Sequence, residues 1–125
     1  MIHLDTGFLI RALVRNSSED TKLRTWLRFD TQLGISSIAW AEFLCGPVEK
    51  TDIALAARIV PDRQPFTDED AVLAARLFNI SGRRRGTFID CMIAAVAVGV
   101  GASLATTNPE DFRRFEPNGL EIIDA

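Results

Sequence analysis

Four acidic residues of this 125-residue chain stand against apolar surroundings: Asp5 closes MIHLD, Glu42 interrupts IAWAEFLCG, Asp90 opens FIDCMIAAVAV, and Asp111 follows the stretch ATTNPE. Carboxylates brought together repel one another and resist joint ionisation. A divalent cation relieves that repulsion, and hard Mg²⁺ or Mn²⁺ takes such oxygen ligands. The chemistry such a site offers is attack of an activated water on a phosphate ester. Asn108 adds a neutral amide oxygen. Thr6 and Thr107 add hydroxyls able to orient a carboxylate or to bind a phosphate oxygen.

Other metal chemistry is nearly excluded. His3 is the single histidine, and Cys45 and Cys91 are too few and too far apart for a CxxC zinc site. At this size two cysteines make no disulfide framework either. The N-terminus has an acid at position 5 and no basic leader, so a cytoplasmic protein without a signal peptide is expected. The longest mostly apolar run, 91–104, is too short and too rich in Ala and Gly to span a membrane.

Each acid also has an ordinary reading. Asp5 and Asp90 suit helix N-caps, and Asp111 suits the first turn of a short helix. Glu42 fits neither, because an acid on a mostly apolar helix is rarely left unpaired. What favours a site is that all four fall near one edge of the sheet built below.

The net charge of −3 argues weakly against nucleic acid. Yet Lys22 and Lys50 are the only lysines, so the positive charge is nearly all Arg, the better bidentate phosphate ligand. Arg83, Arg84 and Arg85 precede Asp90, and Arg113 and Arg114 follow Asp111. Arg84, Arg85 and Arg113 are therefore candidate phosphate contacts; the competing reading is solvated loop charge or salt-bridge partner. Trp40 offers a ring for base stacking, although core packing suits it better.

The elements that position these groups follow from the pattern of apolar residues and breaks. MIHLD reads as a short buried strand feeding the helix TGFLIRALVR. Asn16-Ser17-Ser18 turns into a second helix over 19–29 with an acidic first turn. LGISS is a strand, capped through Ser36 or Ser37 into IAWAEFLCG, which stops at Gly46-Pro47. A helix over 51–60, an extended edge segment 61–66 and a helix from 68 to about 80 follow. Thr67 and Asp70 form a capping-box variant for the last of these. RRRGTF is a loop, 89–98 an Ala-rich helix ended by Gly99 and Gly101, and 102–106 and 119–124 are strands.

Strands separated by helices imply a parallel sheet covered on both faces, in one α/β domain spanning 1–125. Such sheets bind ligands at the carboxyl ends of their strands. Asp5 ends the first strand, Asp111 follows the fourth, and Glu42 and Asp90 lie early in their helices, near the same rim.

Taken in order, LDTGFLI, SSIAWAEFLCG, FIDCMIAAVAV and LATTNPEDF resemble the motifs of the PIN-domain nucleases, most closely the VapC-type toxins of prokaryotic toxin–antitoxin pairs. The resemblance runs from Ile2 to Ile123. It implies a three-layer α/β/α sandwich around a mainly parallel sheet of four to five strands, and an Mg²⁺- or Mn²⁺-dependent endoribonuclease. The family's acids carry over to Asp5, Glu42, Asp90 and Asp111, which would ligate the ion or orient the nucleophile, and its polar positions to Thr6 and Asn108. Some members place an acid where Asn108 stands, so protein ligands alone give little for a second ion. Hydrolysis by water implies products with 5′-phosphate and 3′-hydroxyl ends.

The resemblance also implies an RNA substrate and an antitoxin partner; an Arg inserted among the carboxylates could block the pocket by replacing the metal's charge. The apolar residues Phe8, Leu9, Leu13, Trp26 and Leu27 exceed what one side of a thin domain covers, which points to a homodimer or an antitoxin groove there. Three other readings compete. A phospho-acceptor receiver domain would need paired acids after the first strand and a late Lys, which this chain lacks. An inactive PIN-like binding domain and a DNA-directed nuclease share the fold and are separated only by assay.

Overall fold

The computed structural model describes residues 1–123. Its elements run β1 (Ile2–Leu4), α1 (Thr6–Ala12), α2 (Ser18–Arg28), β2 (Leu33–Ser36), α3 (Ser37–Cys45), α4 (Lys50–Ile59), β3 (Arg63–Gln64), α5 (Asp68–Ile80), α6 (Phe88–Val100), β4 (Ser103–Ala105), two 3₁₀ turns (Pro109–Asp111 and Arg113–Asn118) and β5 (Glu121–Ile123). The strands form one sheet in the order β3-β2-β1-β4-β5, and every adjacent pair is parallel. Helices flank it in an α/β/α arrangement, as the alternation of strands and helices requires. The expected last strand, 119–124, is observed as Glu121–Ile123, and its Asp124 end lies outside the described residues.

Local chemistry explains most boundaries. Ser17 accepts from the Asp20 N–H at 3.0 Å and donates to the Arg11 carbonyl at 2.7 Å, so one hydroxyl starts α2 and closes the turn after α1. That turn, with Asn16 at φ 67°, ends α1 at Ala12, earlier than the expected Arg15. Ser36 caps α3 through the Ala39 N–H. Thr67 and Asp70 form the expected reciprocal box at the start of α5. Gly99 does not end α6 as expected but lies inside it; the helix stops at Gly101, whose φ of 71° belongs to the left-handed conformation that glycine adopts without strain. The edge segment 61–66 reduces to the two-residue β3, which pairs at Ile35–Arg63 and Ser36–Gln64.

The core is built from Leu4, Leu9, Ile35, Phe43, Leu77, Ile93, Leu104, Phe112 and Phe115, all essentially inaccessible. Ala-rich α6 buries Ala94, Ala95 and Ala97, the small side chains that close packing demands. β1 is central, between β2 and β4, and its three residues are all buried. The Asp5 N–H donates to the Ala105 carbonyl at 2.9 Å, which ties the carboxyl ends of β1 and β4 together. Among the described residues no helix is long and apolar enough to cross a membrane.

Candidate active site

Because all five strands run the same way, their carboxyl ends share one rim, and the four acids gather there. Asp5 follows β1 as the N-cap of α1 and is 7% exposed. One carboxylate oxygen accepts from the Thr6 N–H at 2.8 Å, the other from the Thr106 hydroxyl at 2.9 Å. Both oxygens are thus held in place, each with lone pairs to spare. Glu42 is half-buried on α3, where its Oε1 accepts from the Thr6 hydroxyl at 2.7 Å. Thr6 therefore bridges α1 to α3 and orients Glu42, the role expected of its hydroxyl. An apolar hollow of about 460 Å³ opens beside Glu42, lined by Ile38, Ala41, Cys45, Ile89 and Met92.

Asp90 is half-buried in the first turn of α6, three positions after the N-cap Thr87, so the N-cap reading of Asp90 does not hold. Asp111 is exposed at the end of the first 3₁₀ turn.

The electrostatics show that these four groups share one field. Burial pushes the Asp5 carboxyl up; hydrogen bonds from Thr106 and Thr6 offset part of this, and the charges of Glu42 and Asp111 add to it. Burial raises Asp90 to about 6, helped by Asp5, Asp111 and Glu42 in turn and opposed by Arg114. Repulsion between acids is the signature expected of a carboxylate cluster awaiting a cation. Among the described residues no three acidic, His or Cys side chains stand close enough together to hold one ion between them. An ion bound here would take one or two carboxylates directly and keep several waters, as Mg²⁺ is able to do. The carboxylate oxygens of these four acids are hard donors of the kind Mg²⁺ or Mn²⁺ takes.

Several expected roles shift. The hydroxyl on Asp5 belongs to Thr106, which the sequence reading passed over in favour of Thr107. Thr107 instead accepts weakly from the Asn108 amide at 3.4 Å. Asn108 is exposed, and its own N–H donates to Thr106. Arg113 donates to Glu110 at 2.7 Å, the salt-bridge reading of that residue. Arg84 and Arg85 are exposed in the loop before α6, while Arg83 bonds to Asn79 and lies over the Phe78 ring. Trp40 packs on Phe43 and carries the Arg63 guanidinium at 4.7 Å, so it serves the core rather than a base. Phe8 and Leu9 are core residues as well, and Trp26 stacks on Phe8 at 5.5 Å. What stays open near the N-terminus is a groove of about 390 Å³ between α1, α2 and α4. Its lining includes Leu13, Leu27 and Leu55, with Arg15 and Arg24.

The PIN domain family model matches residues 2–116. The chain belongs to the PIN domain family. No curated protein matches it in sequence. Solved structures match across its full length. VapBC2 from Rickettsia felis, bound to a DNA fragment from its promoter, superposes with a TM-score of 0.77 at 20% identity, covering 100% of this chain and 99% of that one. DNA-bound VapBC from Salmonella typhimurium gives 0.73 at 20% identity over 98% and 96%. VapBC-1 from nontypeable Haemophilus influenzae gives 0.71 at 24% identity over 99% and 98%. In this chain the fold places Asp5 at the end of β1, Glu42 on α3, Asp90 in the first turn of α6 and Asp111 after β4.

Proposed function

We propose that this PIN domain is the toxin of a toxin–antitoxin pair and an endoribonuclease that uses Mg²⁺ or Mn²⁺. The observation that carries the reading is the convergence of Asp5, Glu42, Asp90 and Asp111, from four separate elements, into one field at the strand-end rim. The likeness to VapBC structures supports the toxin assignment.

Asp5 and Asp90 would hold the ion, the first fixed by two hydrogen bonds and the second by its helix. Glu42, oriented by Thr6, and the exposed Asp111 would bind it through water or direct the attacking water. When bound, the ion supplies Lewis acidity toward a phosphodiester and eases ionisation of water. Arg84 and Arg85, free of carboxylate contacts closer than 4 Å among the described residues, would meet the RNA backbone. The groove lined by Leu13, Leu27 and Leu55 is the proposed seat of the antitoxin. Its apolar floor suits an amphipathic segment, and Arg15 on its wall suits an acid on that segment, while Arg24 there is already paired with Asp20.

The test is cleavage of RNA by the purified chain in Mg²⁺, with end-group analysis. Expected are 5′-phosphate and 3′-hydroxyl ends, loss of activity in EDTA, and a drop of at least about 100-fold for Asp5→Asn. Full activity in excess EDTA or 2′,3′-cyclic phosphate ends would overturn the chemistry. Cleavage of DNA but not RNA would replace the substrate class.

A further inference from the structure

The hollow beside Glu42 is apolar, although it opens next to the acids. Ile38, Ala41, Glu42 and Cys45 fall at i, i+3, i+4 and i+7 on α3, so they share one face of that helix. Ile89 and Met92 stand on either side of Asp90 in the sequence of α6 and form the opposite wall. Between the walls lie about 460 Å³ of open space. The walls are thus the two helices that carry Glu42 and Asp90. Glu42 also ties the hollow to the rest of the rim by direct contact. Its Oε1 accepts from the Thr6 hydroxyl at 2.7 Å, and the Thr6 N–H donates to Asp5 at 2.8 Å.

The lining selects what can enter. Among its residues Glu42 alone is charged, and the side chains of Ile38, Ala41, Ile89 and Met92 make no hydrogen bonds. A phosphate or an acidic peptide would meet apolar walls and a like charge, and both oppose it. A flat uncharged ring with amino groups on its edge meets the opposite: apolar walls for its faces and an acceptor for its edge. The Met92 sulfur adds a polarisable contact to such a ring. Ile89 and Cys45 are exposed, so the chain leaves the entrance open. The volume falls within the range of pockets that take small ring-bearing ligands. The groove between α1, α2 and α4 differs in charge, since it presents Arg15 where the hollow presents Glu42.

We propose that the hollow between α3 and α6 is a nucleobase subsite, which seats the base next to the RNA phosphate held at the carboxylates. The proposal rests on the reading of the rim as a site for RNA. A base seated there fixes the register of the strand, so that the phosphodiester beside it lies over the acids. Single strands offer unstacked bases that gain by finding such a surface. Ala41 and Met92 then set how large a base fits, touching the substrate without taking part in the chemistry. A hollow that existed only because two helices diverge would leave cleavage indifferent to the base.

Cys45 supplies a probe, because it is exposed on the wall of the hollow while Cys91 is fully buried. The first experiment follows alkylation of Cys45 by N-ethylmaleimide in the folded full chain in Mg²⁺, with and without excess single-stranded RNA of mixed sequence. The RNA should slow alkylation at least about fivefold, and an abasic ribose-phosphate strand of the same length should not. The second experiment compares RNA cleavage by wild type and by Ala41→Leu, which fills the hollow from an exposed position. KM should rise by about 5- to 100-fold, the scale of one lost base contact, with kcat changed far less. An RNA lacking only the base beside the cut bond should cost wild type the same factor and cost Ala41→Leu nothing further. Should Ala41→Leu fold poorly, wild type alkylated at Cys45 after folding fills the same space and should show the same rise in KM. Equal alkylation rates with and without RNA overturn the proposal, as do an unchanged KM or equal abasic penalties in the two proteins. Alkylation that slows with protein concentration alone gives the hollow to a second copy of this chain and overturns it too. If RNA protects Cys45 but is not cut, the cleavage chemistry fails and the base subsite stands. If RNA is cut and Cys45 stays unprotected, the subsite fails alone.

Discussion

Asp5 and Asp20 are buried almost equally, at 7% and 8% exposure, yet their carboxyl groups move in opposite directions. Asp20, at the start of α2, is held below the usual carboxylate range by the Asn16 N–H and by Arg24, which together outweigh its desolvation. Those contacts measure 3.0 Å each. Asp5, at the carboxyl end of β1, is pushed up, because burial and two neighbouring acids outweigh hydrogen bonds from Thr106 and Thr6. What separates the two is that desolvation dominates at Asp5 and its charged neighbours are acids, whereas a backbone N–H and Arg24 complete the charge of Asp20. α2 finishes its own electrostatics, and the rim of the sheet does not.

Exchanging each acid for its amide should break this comparison in opposite ways, and the effect is the largest expected. Asp5→Asn should lose cleavage by at least about 100-fold while the metal-free thermal midpoint holds or rises, because one source of repulsion is gone. Asp20→Asn should leave cleavage near wild type and lower the midpoint by a few degrees, because Asn16 and Arg24 lose a charged acceptor. The readouts are RNA cleavage and thermal melting in EDTA. A midpoint that falls for Asp5→Asn as it does for Asp20→Asn would make Asp5 a structural cap like its counterpart.

How far this contrast was legible in the sequence depends on range. The Asp20 environment is local: Asn16, Ser17 and Arg24 lie within four residues of it, so an acidic first turn after a serine cap already describes it. Asp5, Asp90 and Asp111 were legible because each follows a strand or opens a helix, positions that local signals mark well, and Glu42 because it interrupts an otherwise apolar helix. Their partners were harder to read. Thr106 and Thr107 are adjacent at the end of β4, where side chains alternate between faces, so a one-residue error in the strand end exchanges their roles. Phe8 and Leu9 looked like surplus surface because α1 was read as covered on one side, whereas α2 and α3 both pack against it.

A smaller effect comes from pH. Asp90 titrates near 6 in the folded chain against an ordinary 3.8, so the fold binds its proton more tightly than the unfolded chain does. Its contribution to metal-free stability is full below pH 3.8 and is lost as pH rises through about 6. His3, buried in β1, is pushed down to about 4 by desolvation, with the amino terminus adding to it. Its contribution has the opposite sign, present above pH 6.5 and lost as pH falls toward 4. Between these limits the two groups nearly cancel. Asp90→Asn removes one side of the balance. Its stability in EDTA should then fall on acidification from pH 6.5 to 4 more steeply than wild type's, by up to about 1.4 kcal/mol per pH unit. Denaturant melts across that range check the slope, and parallel slopes for the two proteins would remove Asp90 from the balance. In Mg²⁺ the wild type's metal-dependent gain should disappear as pH drops through about 6, since protonated carboxyls release the ion.

The smallest effect probes how tightly the rim is assembled. A methyl group at Gly7 would lie 2.9 Å from the Thr107 hydroxyl oxygen, so the first turn of α1 and the chain after β4 approach as closely as glycine permits. Gly7→Ala gains helix propensity of up to about 1 kcal/mol, so the midpoint should hold or rise. The threonine must nevertheless move, and it lies between Thr106, which bonds Asp5, and the turn that carries Asp111. Cleavage should fall a few-fold without loss of stability, which separates geometry from folding. If activity instead stays at the wild-type level, the position of Thr107 is immaterial and the Asp5–Thr106 bond alone ties β4 to the chemistry.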